Sequence, residues 1–407
     1  MSIAEAAENA LRQSQLTSAG SPPFHLRAEI SEVGKAASAY KAQVEEYWLA
    51  PDHWRRTIES SDFSQTLIVD GSKVSEQDSG DYYPFSLRDL VTAIFDPLPM
   101  YEQLKSLKGQ LEVPADSPDS SSCLQFGSPV GIPPVRASVG YAFCFEGKLG
   151  LLQSVNTPGY KARFEDYKLY KGKYVARRID AQLDSNTTLE ARIAQLDDII
   201  LQDRSLFTVD QPTPAAAQLK SMQAAESIAR NTAVSAPAIA WPPVREGKNS
   251  GTLSVYISND RTGRVREVWP VASDNPELNS AVRDQLRQWR FQPYVNGVPM
   301  QMEALLTFGF STIMGEPIPL LTNAKARSLA THLVEPRLAG KRAGPLRFTI
   351  RIRVDQQGKL ARVLNPNNVK PALLSAAERA LQQWQFRPYL RDGKPDMFDA
   401  DIAFVVH

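Results

Sequence analysis

Two hexads constrain this 407-residue chain more than any other feature. Trp289-Arg290-Phe291-Gln292-Pro293-Tyr294 and Trp384-Gln385-Phe386-Arg387-Pro388-Tyr389 keep Trp, Phe, Pro and Tyr at one offset of 95 residues. The residues around them repeat too, so the second half of the chain reads as a tandem duplication. In the first copy Leu253, Val255 and Ile257 alternate with Thr252, Ser254, Tyr256 and Ser258, the pattern of a half-buried strand. Asp260 to Gly263 turns the chain, and Val265, Val268 and Val271 carry it back. Asp274 or Asn275 caps a helix whose buried stripe is Leu278, Ala281, Val282, Leu286 and Trp289. After the hexad, Asn296-Gly297 turns into a last strand ending near Phe310.

The second copy repeats this with Phe348, Ile350, Ile352 and Val354, then Gly358, then Leu373, Ala376, Ala377, Leu381 and Trp384, then Asp392-Gly393. The unit is ββαβ, about 60 residues long, and too small for a thick core. Trp289, Phe291 and Pro293, and likewise Trp384, Phe386 and Pro388, are expected to be structural pins at the helix exits.

The first half has a different texture. Residues 3–16 read as an amphipathic helix. Alternating segments follow at Phe24–Ile30, Val44–Trp48, Trp54–Ile58 and Leu67–Val69. Ser86 and Asp89 head a helix through Leu87, Leu90, Val91 and Ile94 that stops at Pro97, and a short helix with Leu104 and Leu107 is expected next. Strands return at Ala137–Phe145, Leu149–Val155, Tyr160–Tyr170, Tyr174–Leu183 and Leu189–Leu196. Many strands with few helices predict a curved antiparallel sheet wrapped around those helices. The expected layout is a domain over 1–209, a Pro/Ala-rich linker over 210–245, a module over 246–315, a linker over 316–343 and a module over 344–407. Within the first linker, Ala216–Ile228 suits a short helix.

Chemistry-bearing patterns are sparse. A formal net charge of +1 argues against a dedicated nucleic-acid binder. With 4 His and 2 Cys there is no metal-ligand spacing, and no nucleophile or phosphate-loop motif is present. No cofactor and no catalysis are expected. Cys123 and Cys144 fit either one disulfide in an oxidising compartment or two core thiols. No apolar run is long enough to span a membrane, and the start of the chain fits either a cytoplasmic protein or one whose export segment was removed. Tyr47, Trp48, Trp54, Phe143 and Phe145 are candidates to line a lipid groove, the alternative being core packing. Arg347, Arg351 and Arg353 share one strand face, thickened by Lys341, Arg342, Lys359 and Arg362; it reads as an anion-docking face or a solvated one.

The order of these strands and helices resembles the LolA-like lipoprotein-sorting fold, a half-barrel whose concave side takes up lipid, and the wording Pro23-Phe24-His25-Leu26-Arg27-Ala28, with Glu46-Tyr47-Trp48, Trp54-Arg55-Arg56 and Phe95-Asp96-Pro97-Leu98-Pro99, resembles an N-terminal region of bacterial envelope proteins that carry a TonB-type C-terminus. Turn glycines Gly263 and Gly358, the hexads, and Gly297-Val298-Pro299 with Gly393-Lys394-Pro395 resemble TonB C-terminal domains. The fold class implied is α+β: an N-terminal curved antiparallel half-barrel with helices, followed by two ββαβ TonB C-terminal-like modules. The TonB C-terminal resemblance implies that the last strand of each module pairs by β-augmentation with an envelope protein or an outer-membrane transporter segment. Met302, Ala304, Leu306, Phe308 and Phe310, and Asp401, Ala403 and Val405, mark those strands, unless the other repeat or a homodimer covers the edge. The expected function is a periplasmic, envelope-associated adaptor with lipid or lipoprotein capture by the N-terminal domain. The alternative is a lipid or lipoprotein carrier with the repeated pair as scaffold. The membrane anchor and long spacer of a TonB energy transducer have no counterpart here, so motor coupling does not carry over.

Overall fold

A computed structural model describes residues 3–18, 20–33, 40–98, 122–126, 141–146, 150–157, 159, 161–184, 187–199, 204–295, 297–337, 346–364 and 369–406. The expected helix at Leu104 and Leu107, and Lys341 and Arg342 of the basic region, lie outside these residues. The chain divides into two compact units. One comprises Met1–Pro242 with Gly247–Ile313, and the other Pro243–Glu246 with Met314–His407. The half-barrel and the first repeat, expected as separate domains, therefore form one unit.

In that first unit, α1 (Ile3–Ser14) leads into β1 (Phe24–Val33), β2 (Lys41–Ala50), β3 (His53–Ser60), β4 (Ser64–Asp70) and β5 (Lys73–Asp78). Helix α2 (Phe85–Phe95) follows, then β6 (Ser122–Phe126), β7 (Tyr141–Glu146), β8 (Leu151–Asn156), β9 (Lys161–Tyr170), β10 (Lys173–Gln182) and β11 (Thr188–Asp197). These make an 11-stranded antiparallel sheet in the order β5-β4-β3-β2-β1-β11-β10-β9-β8-β7-β6, an open half-barrel. Period-2 alternation divides its faces. Phe24, Leu26, Ala28 and Ile30 of β1 are buried inside, and Arg27 and Glu29 point out. Helix α2 begins at Phe85 after Pro84, with no side-chain cap, so Ser86 is not its cap. Its buried residues are Phe85, Leu87, Leu90, Val91, Ala93, Ile94 and Phe95, and they join the core of the inner face.

The segment expected as a linker is built of β12 (Ser221–Ala224), α3 (Glu226–Thr232) and β13 (Ala233–Ser235). Residues 221–224 are thus strand, where a helix over Ala216–Ile228 was expected. The first repeat follows as β14 (Ser250–Asn259), β15 (Val265–Ser273), α4 (Asn279–Leu286), β16 (Arg290–Phe291), the small pair β17 (Tyr294–Val295) and β18 (Val298–Pro299), and β19 (Gln301–Ser311). Its sheet runs β12-β19-β14-β15, with β12 parallel to β19.

The second unit repeats the plan with β20 (Leu320–Leu321), α5 (Asn323–Leu329), β21 (Ala330–His332), β22 (Leu346–Val354), β23 (Leu360–Val363), α6 (Pro371–Leu381), β24 (Gln385–Phe386), β25 (Tyr389–Arg391), β26 (Lys394–Asp396) and β27 (Phe398–Val406). Its sheet order is β20-β27-β22-β23. The repeat is therefore βαβ-ββαβ, longer than the ββαβ expected, because each supposed linker contributes a strand, a helix and a strand.

The hexads hold each module together. Trp289 and Phe291 are 4% and 1% exposed, and Trp384 and Phe386 are 2% and 5% exposed. The hexad prolines are not core: Pro293 is half-buried and Pro388 is exposed. Each Trp Nε1 donates to a carbonyl of the preceding segment, Pro237 at 3.1 Å and Val334 at 2.8 Å. Each Phe N–H donates to the hairpin glycine, Gly263 at 2.9 Å and Gly358 at 3.0 Å. A Cβ on either glycine would stand 2.0 Å from the Phe carbonyl oxygen, and both have φ near +80° (82 and 78), so only glycine fits.

Candidate functional site

The inner face of the half-barrel places Trp48, Trp54, Phe143 and Phe145 on the helix side, and Tyr47 outside. Trp48 is 1% exposed and stacks on Phe24 at 5.5 Å, which in turn stacks on Phe95 of α2 at 6.5 Å. Phe143 and Phe145 are each 2% exposed within the same core. Trp54 lies directly opposite Trp48 in the ladder and is half-buried. Tyr47 follows Trp48's neighbour Glu46 on the strand and so faces the other way, stacked on His25 at 4.1 Å with its hydroxyl donating to Glu45. It is removed from the groove set because adjacent strand residues cannot share a face.

One ion pair sits in this apolar surface. Glu46 is fully buried, and Arg56 Nε donates to its Oε2 at 2.5 Å. The Arg56 guanidinium lies 4.1 Å from the Phe95 ring centroid and 5.2 Å from that of Trp54. Burial pushes the Glu46 carboxyl up, and Arg56 pulls it back. A buried pair like this orients its surroundings more than it stabilises them.

The last strands of the modules are covered over part of their outer edges. In the first, β12 pairs with residues 301–304 of β19. Further along, Thr307 N–H donates to Glu226 Oε1 at 3.0 Å, and its carbonyl accepts from Arg230 Nη2 at 2.8 Å. In the second, β20 pairs with Asp399 and Ala400, Ala403 N–H donates to Asn323 Oδ1 at 3.2 Å, and Arg327 Nη2 donates to the Ala403 carbonyl at 3.0 Å. Each plug thus imitates a strand with side chains, one acceptor and one guanidinium per module. Arg230 also covers Phe308, and Arg327 covers Trp384. Met302, Ala304, Leu306, Phe308 and Phe310, expected on a partner-pairing strand, are buried in the module core. Beyond Thr307 the edge of β19 borders a groove of about 400 Å3, lined by Pro237, Trp241, Trp289, Phe308 and Gly309.

The basic face is neutral for the most part. Arg347 is exposed, but Arg351 forms a fork with Asp401 (2.7 Å twice) and Arg353 forms one with Asp399 (2.7 and 2.9 Å). Arg353 and Arg362 also share Glu246, at 2.6 and 2.7 Å. Asp401, named for partner pairing, is the counter-ion of Arg351. Arginine beside aspartate holds the Asp401 carboxyl below its usual range. These fork-shaped pairs replace the anion-docking face expected from the arginines alone.

Cys123 and Cys144 are bonded to one another across the β6–β7 ladder, S–S 2.10 Å. Among the described residues, no group of three or more His, Cys, Asp and Glu is placed to hold a metal, and no helix is long and apolar enough to cross a membrane.

No family model matches the sequence. No curated protein matches it either. Solved structures that the chain resembles include a LolA superfamily protein from Nitrosomonas europaea (12% identity, TM-score 0.30, covering 52% of this chain and 99% of that one). They also include a putative outer membrane lipoprotein-sorting protein domain from Vibrio parahaemolyticus (12% identity, TM-score 0.30, 50% and 95%). A third is a DUF1329 family protein from Desulfovibrio piger (10% identity, TM-score 0.27, 51% and 97%). Each covers about half of this chain, and none of the three is a TonB C-terminal domain.

Proposed function

We propose that this protein is a non-catalytic carrier of the bacterial envelope that takes the acyl chain of a lipid or lipoprotein on the inner face of its half-barrel, with the repeated modules as scaffold. The observation that carries this reading is α2. An 11-residue helix with seven buried apolar residues occupies the inner face, so that face accepts an apolar guest of helix size. Trp48, Phe143 and Phe145 supply aromatic surface around it. The plugged strand edges remove support from the adaptor reading, because β-augmentation needs a row of unpaired backbone groups. The Cys123–Cys144 bond is at home in an oxidising compartment such as the periplasm.

The test is binding of cis-parinaric acid to the full chain, read by its fluorescence. Saturable binding that weakens roughly tenfold or more in Phe145→Asp is expected. A full chain that takes up no parinaric acid and no fluorescent phospholipid, at any pH from about 5 to about 8, would retire the carrier reading.

A further inference from the structure

The first repeat buries a second face along β14, whereas the matching face of β22 in the second repeat is buried at Arg353 alone. In β14 every residue from Leu253 to Asn259 is buried. One set, Leu253, Val255 and Ile257, belongs to the stripe expected for the module's own core. The other set includes Tyr256, which with Leu305 of β19 joins the core of the half-barrel. At the matching place in the second repeat stand Arg351 and Asp401, half-exposed. The duplication has thus been specialised: one copy's outer face is fitted to something, and that something is α2.

The fit is directional. Gln301 reads the Tyr83 backbone in both senses, its Oε1 accepting from the Tyr83 N–H at 2.7 Å and its Nε2 donating to the Tyr83 carbonyl at 2.9 Å. Phe85 meets Tyr256 with ring centroids 4.6 Å apart. Arg88 pairs with Glu303 at 2.5 Å, and Tyr256 donates to the same carboxylate at 3.1 Å. The inner face of the half-barrel, by contrast, meets α2 chiefly through apolar side chains, which hold a helix without fixing its position along the surface, with Arg56 over the Phe95 ring at the last residue of the helix. At the far end, the Leu16 N–H donates to the Phe95 carbonyl at 3.0 Å.

We infer that the first repeat is a clasp for α2: its outer sheet face fixes the first turn of the helix and the residue Tyr83 just ahead of it, and letting go of that face is what frees the inner apolar surface for an acyl chain. The second half of this statement rests on the carrier reading; the first does not. A clasp of this kind gives the duplicated module a task inside its own chain, and it explains why Tyr256, Gln301 and Glu303 differ from their counterparts Arg351, Met397 and Asp399.

Hydrogen–deuterium exchange of the full chain separates the two claims. Glu303→Gln keeps the volume and removes the charge facing Arg88; Gln301→Ala removes the contacts to Tyr83. In each, exchange of amides 85–95 is expected to rise at least tenfold, while amides 161–182 of β9 and β10 keep wild-type protection. Unchanged exchange in 85–95, or equal acceleration in both segments, overturns the clasp. The same variants are then titrated with cis-parinaric acid, where affinity is expected to tighten severalfold. Faster exchange of 85–95 without any parinaric acid binding leaves the clasp standing and ends the carrier reading. Binding that is identical in wild type and variants, with faster exchange, overturns the regulatory half of the inference.

Discussion

Arg230 and Arg327 show how much a single side chain does in these small modules. Each closes a strand edge at one carbonyl and spreads its guanidinium over a buried aromatic ring. Arg327→Ala leaves the Ala403 carbonyl without that donor and uncovers Trp384, so a loss of about 1–3 kcal/mol is expected in urea denaturation. Arg327→Lys should recover little of it, since an ammonium lacks the planar fork. Gly358→Ala forces a Cβ into the Phe386 carbonyl oxygen at positive φ and should cost at least about 2 kcal/mol by the same measurement. These arginines escape sequence reading for a simple reason. The hexads repeat at 95 residues, but the plugs, Ala229-Arg230 and Ala326-Arg327, repeat at 97, so a comparison at one fixed offset passes them by. Tyr47 is the opposite case. Alternation along β2 alone separates it from Trp48, and that rule needs no structure.

Among the elements, α2 is the one with the most conflicting surroundings. Its Asp89 carboxyl is pushed up to about 7, chiefly by burial; Arg88 pulls it down, and Glu303 and Glu267 push it further up. Tyr82 and Tyr83 just ahead of α2, and Tyr256 on β14, complete the groups on this side. A carboxyl raised in the folded state holds its proton where the unfolded chain has already lost it. Its contribution to stability is therefore complete below the ordinary carboxylate range and is lost as pH rises through about 7. Asp89→Asn should flatten that decline, so the difference in melting temperature between variant and wild type should move in the variant's favour from pH 5 to pH 8, a window of roughly three units bracketing the raised value. A constant difference across the window would show that Asp89 does not titrate there. Helix α2 and most strands of the half-barrel were legible from periodicity. The forked pairs on β22 and β27 were not, because Arg351 meets Asp401 and Arg353 meets Asp399 only once a register between segments some 50 residues apart is known.

At the scale of the molecule, the boundary drawn from composition at residue 245 falls inside a working part. Arg245 bonds Asp396 at 2.5 Å and the Glu316 carbonyl at 2.8 Å, and Glu246 neutralises Arg353 and Arg362. A fragment of residues 314–407 leaves Asp396 and Arg353 without these partners. It should be less stable than the same unit within the full chain by about 1–3 kcal/mol, measured as the urea midpoint of the second unit's transition. Repeat proteins are expected to join end to end, each unit finishing before the next begins. Here Pro243–Glu246 belongs to the second unit, and Gly247–Ile313 belongs to the first. During synthesis, then, the ribosome delivers four residues of the second unit some 70 residues before the rest of it, and they precede Asp396, Arg353 and Arg362 while the first unit completes its last strand. The two copies cannot be assembled strictly in the order in which they are synthesised. The later polypeptide reaches back to collect a piece of the earlier, so a chain ending at residue 313 would hold every residue of the first unit while Arg245 and Glu246 lack Asp396, Arg353 and Arg362.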